Sequence, residues 1–158
     1  MSVCKVFADP LSLAPRIEEL KRCGQTIVFA NGCFELLHVG HVRYLIAAKE
    51  FGDVLIVAVN TDESMSVIKP ERTPINPDRE RMEIIAAFEA VDFVVPLRET
   101  TPHGLIELFR PHVHTKGTDY TLDRIPERTL VESYGGRVVI VGDAKRHSTT
   151  DMLRAIRH

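Results

Sequence analysis

Short apolar runs alternate with longer amphipathic segments along most of this chain, and this alternation limits the folds that it can adopt. The apolar runs are rich in β-branched residues and predict five strands, at residues 26–30, 54–59, 92–95, 112–116 and 137–141. The amphipathic segments predict six helices, at residues 13–22, 39–51, 77–89, 103–109, 127–134 and 149–157. Near-continuous apolar strands are typical of a sheet that is buried on both faces. The pattern therefore predicts an α/β fold in which a parallel sheet lies between helices.

Right-handed crossovers between parallel strands would wind such a chain into a single doubly wound, Rossmann-like sheet of five strands with helices on both faces. Local signals support several of the helix ends. Asn76 before Pro77 predicts an N-cap followed by proline in the first turn, and Ser148 with Asp151 predicts a capping box. Three glycines are expected to end helices, namely Gly24, Gly52 and Gly135.

The composition is typical of a soluble globular protein. At 158 residues the chain matches one domain, with a core at residues 26–156 and an N-terminal extension, residues 1–25, that carries one helix. Lys and Arg number 20 and Asp and Glu 22, so the net charge of −2 does not point to nucleic acid or an anionic membrane as a partner. The longest apolar run, residues 54–59, is far shorter than the roughly 20 residues that cross a bilayer. The three cysteines form no C-x-x-C pair, which favours a reducing compartment, and we expect a cytoplasmic location.

The connections from strand to helix carry most of the polar residues that suit a site. In an open parallel sheet these connections gather at the carboxyl ends of the strands, where ligands bind. Neither G-x-G-x-x-G nor G-x-x-x-x-G-K-[ST] occurs. Instead the first strand runs into Asn31-Gly32 and then, at residues 38–41, into H-V-G-H at the start of a helix. The helix N-terminus favours an anion, Gly40 allows a phosphate close to the backbone, and both histidines can donate hydrogen bonds to it.

Several of these side chains also have a plainer explanation. Two histidines three apart also occur as metal pairs or surface residues, although no H-E-x-x-H and no cysteine partner accompanies them to form a zinc site. Arg81 shares the apolar stripe of its helix, so it snorkels, pairs with Asp78 or serves a ligand site. Lys69 is either a phosphate ligand or a flexible surface lysine. His112 and His114 alternate on a strand, but no third metal ligand goes with them.

Two motifs in this order resemble those of the H-x-G-H nucleotidyltransferase superfamily. They are H-V-G-H at residues 38–41, preceded by N-G-C-F at residues 31–34, and H-S-T-T at residues 147–150. The resemblance covers residues 26–156. Four further segments are similar to the adenylyltransferase of ADP-heptose synthesis, which acts on D-glycero-D-manno-heptose 1-phosphate: V-A-V-N-T-D at 57–62, P-I-N-P at 74–77, A-V-D-F-V-V at 90–95 and K-G-T-D-Y at 116–120. The resemblance implies one nucleotidyltransferase domain over residues 1–158, without the sugar kinase to which that family is sometimes fused.

The resemblance also implies a mechanism and a set of site residues. A sugar phosphate oxygen attacks the α-phosphorus of ATP in line, pyrophosphate leaves, and magnesium accompanies the ATP. The implied catalytic residues are His38, His41, Lys69 and Arg81, the last because it matches the family's arginine after N-P-x-x. The residues implied to bind the nucleotide are Asn31, Gly32, Cys33, Phe34, Gly40, Lys116, Gly117, Asp119, Tyr120, Ser148 and Thr149. The residues implied to bind the acceptor are Asn60 and Asp62, and Asp62 is also a candidate for magnesium.

Departures from the family pattern leave the base and the acceptor open. Ala30 stands where the heptose family usually has Thr, Glu35 replaces the usual Asp, Thr118 replaces a frequent Gly, and residues 145–147 also differ. One alternative is therefore a cytidylyltransferase for glycerol 3-phosphate or another polyol phosphate. A second, from a different class, is a regulatory module that binds a nucleotide without turnover. In each case the expected partners are small molecules, and the family alone implies a homodimer.

Overall fold

The computed structural model describes residues 4–144 and 148–156, and it contains a parallel sheet flanked by helices. The strands are β1 (Ile27–Gly32), β2 (Val54–Asn60), β3 (Phe93–Leu97), β4 (Val113–Lys116) and β5 (Arg137–Ile140). The helices are α1 (Pro10–Arg22), α2 (Val39–Lys49), α3 (Asp62–Ile68), α4 (Asp78–Ala86), α5 (His103–Phe109), α6 (Arg128–Ser133) and α7 (Thr149–Ile156), with a 3₁₀ helix at Leu122–Arg124. No helix in these two stretches is long and apolar enough to span a bilayer.

The five strands are all parallel and lie in the order β3-β2-β1-β4-β5. The longest parallel pairing in the centre joins β1 to β2, from Ile27 opposite Val54 to Gly32 opposite Val59. The strand order reverses between β1 and β4, and the loops that follow two such strands diverge to leave a crevice at their carboxyl ends. The α/β fold predicted from the sequence, a doubly wound parallel sheet of five strands, is confirmed. The crevice between β1 and β4 is where a ligand is expected.

Helices cover both faces of the sheet because side chains alternate along each strand. On one face, Ile27 and Phe29 of β1 belong to a buried cluster with residues of α1, α5 and α6. On the other face, Val28 and Ala30 belong to a cluster with residues of α2 and α4. Helix α1 is part of the first cluster, since its Leu13 is fully buried. Both clusters hold β1, the strand that leads into H-V-G-H.

The predicted strands and helices are all found, with ends that differ by a few residues. β1 extends to Gly32 and β3 to Leu97, and β3 tolerates Pro96 because it is an edge strand. The N-cap predicted at Asn76 is wrong. Helix α4 begins at Asp78 with Pro77 as its N-cap residue, and no side chain caps it.

Helix α3 and the 3₁₀ helix were not predicted from the sequence. A local signal for α3 was present, because the Oγ1 of Thr61 accepts a hydrogen bond of 3.2 Å from the N–H of Ser64. Two acidic residues, Asp62 and Glu63, also stand in its first turn, where the helix dipole favours negative charge. A helix of only seven residues is too short to show a clear apolar period.

Gly52 joins α2 to β2 at a point where the backbone leaves no space for a side chain. A Cβ atom on Gly52 would lie 2.7 Å from the carbonyl oxygen of Thr26 and 2.7 Å from the Cγ2 of Val28. Gly24 and Gly135 follow α1 and α6 as predicted, and they are required for their backbone conformation rather than for space. Their φ angles of +81° and +88° lie in the left-handed region that ends many helices.

We predict that Gly52→Ala lowers the free energy of unfolding by about 1–3 kcal/mol, the usual cost of overpacking a fixed backbone contact. Urea unfolding followed by circular dichroism measures the change. Gly104→Ala in α5 is the matched control, because the nearest atom to its Cβ would be a Glu99 carboxylate oxygen at 3.9 Å. Alanine favours a helix over glycine by up to about 1 kcal/mol, so the control should not lose stability. An equal loss in both variants would contradict the packing explanation.

Candidate active site

A cleft of about 1030 Å³ opens at the carboxyl edge of the sheet, over the ends of β1 and β4. It brings together nearly all of the residues that the sequence predicted for a site. Of those, Arg81 and Asp62 do not line it. The predicted residues that line it are Asn31, Gly32, Cys33, Phe34, His38, Gly40, His41, Asn60, Lys69, Lys116, Gly117, Asp119, Tyr120, Ser148 and Thr149.

His38 and His41 hold each other in place through the first turn of α2. His38 is the N-cap residue, and its Nδ1 accepts a hydrogen bond of 3.1 Å from the N–H of Gly40. The Nδ1 of His41 accepts one of 3.3 Å from the N–H of His38. A ring nitrogen that accepts a hydrogen bond carries no proton, so the proton of each neutral imidazole lies on Nε2. Both rings line the cleft in orientations that these hydrogen bonds fix.

His41 suits a role as a neutral hydrogen-bond donor rather than as a cation. Burial, together with the nearby His38 ring and the Lys69 ammonium, lowers the pKa of His41 from 6.5 to about 4. The centroids of the His38 and His41 rings lie 4.0 Å apart, a distance at which two positive charges repel strongly. His41 is therefore neutral near pH 7. Positive charge in the cleft comes from lysine and arginine side chains.

Two glycines of the cleft make room for neighbouring rings. A Cβ atom on Gly40 would lie 2.8 Å from the Cε1 of His38, and one on Gly32 would lie 3.1 Å from the Cε2 of Phe34. Phe34 itself adopts a φ of +48°, a strained conformation for a bulky residue. Its ring centroid lies 5.5 Å from that of His41. The expected role of Gly40, close approach of a phosphate, is thus joined by a second one: it seats the His38 ring.

Arg81 lies behind the cleft, with a side chain that is only 1% exposed. Its Nη1 donates to the carbonyl oxygens of Cys33, at 2.5 Å, and of Asn60, at 2.7 Å. Its Nη2 pairs with the carboxylate of Asp62 at 2.6 Å, and its Nε donates to the carbonyl of Asn76 at 3.1 Å. Oxygens of this chain thus engage every nitrogen of the Arg81 guanidinium, and its contact with a phosphate stays a prediction. Arg81 is a positioning residue that ties the end of β1 to the end of β2.

Asp62 is likewise engaged within the chain. Its carboxylate pairs with Arg81, and its N–H donates to the Oδ2 of Asp78 at 3.1 Å. Arg81 therefore pairs with Asp62, whereas the sequence had offered Asp78 as one possible partner. The binding of a sugar hydroxyl or magnesium by Asp62 stays a prediction. Asn60 does line the cleft, but its Nδ2 donates to the Oγ of Ser64 at 3.2 Å. The end of β2 therefore forms part of the wall of the cleft.

Lys116 brings a buried positive charge to the floor of the cleft. Its Nζ donates to the Oδ1 of Asn31 at 3.3 Å, lies 3.6 Å from the Oε2 of Glu127, and sits 5.2 Å from the centre of the Tyr120 ring. Burial lowers the pKa of Lys116, and the Glu127 carboxylate acts in the opposite direction. Asp119 and Tyr120 line the cleft beside this ammonium group. A carboxylate and a ring face at one place suit the hydroxyls and the base of a nucleoside.

The start of α7 closes one side of the cleft. Ser148 is its predicted N-cap: its Oγ accepts a hydrogen bond of 3.1 Å from the N–H of Asp151 and donates one of 2.6 Å to the Asp151 carboxylate. The Oγ1 of Thr149 donates to the carbonyl of Leu36 at 3.1 Å. Both hydroxyl hydrogens are therefore used within the chain. Residues 145–147, which precede Ser148, lie outside the described residues.

Sequence reasoning missed a cluster that joins three segments of the cleft wall. The Nη1 of Arg72 lies 3.4 Å from the Oε2 of Glu35, and its Nη2 donates to the Oγ1 of Thr150 at 2.6 Å. All three residues line the cleft. Thr150 is the last residue of the S-T-T element, so the sequence did contain a signal for this residue. No local pattern signals Arg72, because its partner Thr150 is 78 positions away in the sequence.

The two strand histidines do not form a metal site. The Nδ1 of His112 accepts a hydrogen bond of 2.9 Å from the N–H of Ile27. His114 is fully buried, its Nδ1 lies 3.3 Å from the carbonyl of Phe29, and burial lowers its pKa to about 3. Over residues 4–144 and 148–156, no three His, Cys, Asp or Glu side chains are grouped so that they could hold a metal ion.

The cleft suits the phosphate chain of a nucleotide, because two fixed neutral donors, a helix N-terminus and several cations surround one space at the switch point of a parallel sheet. A parallel α/β sheet with such a cleft at its switch point is typical of proteins that bind nucleotides. The model of the cytidylyltransferase-like family matches residues 29–155, and the chain belongs to that family.

Curated relatives are similar over nearly the whole chain. It is 48% identical over 144 residues to the bifunctional protein HldE of Geobacter sulfurreducens, a match that covers 91% of this chain and 29% of that protein. It is 47% identical over 146 residues to the HldE of Geotalea uraniireducens, covering 92% of this chain and 30% of the relative. The chain thus spans less than a third of the length of these relatives.

A solved structure with the same fold is the lipopolysaccharide core biosynthesis protein from Thermoplasma volcanium. It superposes with a TM-score of 0.66 at 26% sequence identity. The match covers 77% of this chain and 100% of that chain.

The lowered pKa of His41 predicts a specific dependence of stability on pH. Below the unfolded pKa of 6.5, the unfolded chain takes up a proton at His41 that the folded chain resists down to about 4. Folding stability due to this residue is therefore full above pH 6.5 and is lost as the pH falls towards 4. His41→Gln removes this titration. The free energy of unfolding of the wild type minus that of the variant should therefore decrease as the pH falls from 6.5 to 4.

Urea unfolding at a series of pH values measures that difference. His103→Gln is a matched control, because His103 is a histidine of α5 that does not line the cleft. A difference between wild type and His41→Gln that stays constant from pH 7 to pH 4 would contradict a neutral, buried His41.

Proposed function

We propose that this chain transfers AMP from ATP to a sugar 1-phosphate, with D-glycero-D-manno-heptose 1-phosphate as the acceptor, and releases ADP-heptose and pyrophosphate. The observation that carries the proposal is the pair of imidazoles at the start of α2, which bring two fixed Nε2–H donors to a cleft that also holds cations. Similarity to the bifunctional relatives and to a lipopolysaccharide core biosynthesis protein supports a sugar nucleotide as the product.

In the proposed reaction an oxygen of the acceptor phosphate attacks the α-phosphorus of ATP. A new P–O bond forms on the side opposite the bridging oxygen, the bond from the α-phosphorus to that oxygen breaks, and the oxygen leaves with pyrophosphate. No side chain forms a covalent bond to the nucleotide. The Nε2–H groups of His38 and His41 donate to phosphate oxygens as negative charge shifts towards the leaving group. Lys69, close enough to His41 to lower its pKa, adds positive charge beside the same oxygens.

The remaining contacts divide the cleft between nucleoside and phosphates. Lys116, Asp119 and Tyr120 are proposed to hold the nucleoside, because a carboxylate accepts from ribose hydroxyls and a ring face stacks on a base. Backbone groups of residues 31–34 are proposed to contact the phosphates. The N-terminus of α7 is proposed to face the β- and γ-phosphates, where its dipole favours negative charge. These assignments follow from placement in the cleft and from chemistry.

Magnesium is proposed as the metal that accompanies ATP, and when bound it neutralises phosphate charge in the transition state. Magnesium prefers oxygen ligands and commonly keeps several waters while it binds substrate phosphates. The described residues contain no cluster of three metal-ligating side chains, which fits an ion held mainly by the substrate. Glu71, which lines the cleft, is the residue proposed to add a protein ligand.

A cytidylyltransferase for a polyol phosphate is the second candidate, and the cytidylyltransferase-like family match favours it. The phosphate chemistry is the same in both reactions. A ring face such as that of Tyr120 stacks on cytosine as well as on adenine, so the choice of base depends on hydrogen bonds at its edge. The proposed partners are small molecules in either case. A cytoplasmic location, a homodimer and the absence of a nucleic-acid partner stay predictions from the sequence and from the resemblance.

Pyrophosphate release tests the proposed reaction. ATP and CTP are each paired with D-glycero-D-manno-heptose 1-phosphate and with glycerol 3-phosphate, in the presence of magnesium. We expect release with ATP and the heptose phosphate at least about tenfold faster than with any other pair. Turnover with CTP alone would replace the proposal by the cytidylyltransferase. Nucleotide binding without pyrophosphate release from any sugar or polyol phosphate would indicate a regulatory module.

His41→Ala tests the assigned chemistry. It removes one preorganised donor, so kcat/KM should fall by about 10²–10³-fold while the chain stays folded. His41→Gln, which restores an N–H near the place of Nε2, should recover part of that loss. His103→Ala, outside the cleft lining, is the control and should keep the wild-type value. If His41→Ala turned over at the wild-type rate, the role given to the histidine pair would be wrong.

A further inference from the structure

Arg72 brings a positive charge to the cleft that no motif of the chain explains. It lies in the turn after α3, where its N–H donates to the carbonyl of Lys69 at 3.0 Å. Its guanidinium lies 3.4 Å from the Oε2 of Glu35 through Nη1 and donates to the Oγ1 of Thr150 at 2.6 Å through Nη2. One side chain thus contacts the loop after β1 and the first turn of α7.

Glu35 explains why the guanidinium stays at this place. The Glu35 side chain is only 2% exposed, and a buried carboxylate is strongly disfavoured without a cationic partner. Arg72 supplies that partner from a position that is itself 20% exposed. The contact uses one nitrogen at 3.4 Å rather than the two parallel bonds of a bidentate pair. Glu35 therefore fixes the guanidinium without saturating it.

Arg72 differs in this respect from Arg81, the arginine on which the resemblance placed phosphate binding. Arg81 is 1% exposed, lies outside the cleft lining, and donates to four oxygens of this chain through Nε, Nη1 and Nη2. A guanidinium has five N–H donors. Within residues 4–144 and 148–156, Arg72 uses two of them, on Glu35 and Thr150. Its other donors are left for a ligand in the cleft that it lines.

We propose that Arg72 is a phosphate-binding residue of this cleft and contacts the terminal phosphates of the nucleotide beside the first turn of α7. Guanidinium groups match the geometry of phosphate oxygens, and Arg keeps its charge at any physiological pH. Thr150 places the guanidinium next to a helix N-terminus, which favours the same anion. Lys69, three residues earlier in the same turn, lines the cleft as well. The inference rests on the proposed function only in that a nucleotide occupies the cleft.

A purely structural role for Arg72 makes a different prediction. Because Arg72 joins three segments, a structural loss would disturb the whole cleft and weaken all ligands to a similar degree. A direct contact with the terminal phosphates weakens ligands according to the number of phosphates that they carry. Comparison of ATP, ADP, AMP and inorganic pyrophosphate therefore separates the two roles.

The experiment compares Glu35→Gln with the double variant Glu35→Gln/Arg72→Gln. Loss of Arg72 alone would leave Glu35 buried without its partner, so Glu35→Gln is the reference. Isothermal titration calorimetry measures the affinity of both for ATP, ADP, AMP and inorganic pyrophosphate. Arg79→Gln in the wild-type chain is the control for the change in net charge, because Arg79 is exposed on α4 and outside the cleft lining.

We expect the loss of Arg72 to weaken ATP and pyrophosphate by about 10- to 100-fold, the range for a hydrogen bond to a charged group, and AMP by less than about twofold. Arg79→Gln should change no affinity by more than about twofold. An equal loss for ATP, ADP and AMP, or no loss for ATP, would overturn the proposal. If the double variant does not fold, Arg72→Lys takes its place, since it keeps the charge and loses the fork. A smaller loss in the same order of ligands is then expected, and an equal loss again overturns the proposal.

The result is independent of the acceptor and of the base. Binding of pyrophosphate that depends on Arg72, in a chain that transfers no nucleotide to the heptose phosphate, would overturn the proposed function and leave this inference standing. Transfer of AMP to the heptose phosphate that does not depend on Arg72 would overturn this inference and leave the proposed function standing. A wild-type chain that binds neither ATP, CTP nor pyrophosphate would overturn both.

Discussion

The buried guanidinium of Arg81 is the interaction on which the geometry of the cleft depends. Three backbone carbonyls and the Asp62 carboxylate surround it, and these contacts offset the free energy of removing its charge from water. Two of those carbonyls belong to Cys33, which follows β1, and to Asn60, which ends the adjacent strand β2. One side chain therefore fixes the separation of the segments that leave these two strands. The loop that carries the histidine pair starts from this fixed point. A neutral residue at position 81 would leave Asp62 and the carbonyls without their donor.

The histidine pair is a fixed arrangement of neutral side chains that suits a charged ligand. Each Nδ1 is engaged by a backbone N–H, so the orientation of both rings is set before a ligand arrives. Preorganised donors need no rearrangement as charge develops on a phosphate, which is the main source of their effect on rate. The cations Lys69 and Lys116 add the positive charge that the imidazoles lack. A chain with a formal net charge of −2 thus gathers several cations in one cleft, beside an equal number of carboxylates.

The sequence predicted the parts of the molecule that depend on local patterns. Apolar runs and amphipathic periods located all five strands, and the H-V-G-H motif located the centre of the cleft. Long-range contacts were not predicted in the same way. No local pattern indicates that Arg81 donates to carbonyls 48 and 21 positions away. Arg72 was overlooked because its partners, Glu35 and Thr150, lie in two other segments.

The proton positions on the histidine pair give the most direct test of this account. Long-range ¹H–¹⁵N spectra of His38 and His41 at pH 7 report which ring nitrogens are protonated, with and without ATP. We expect two neutral rings with the proton on Nε2, and a shift of the Nε2 signals on addition of ATP that is larger than the shift of the Nδ1 signals. A proton on Nδ1 of either ring, an imidazolium, or Nε2 signals that ATP leaves unchanged would contradict it.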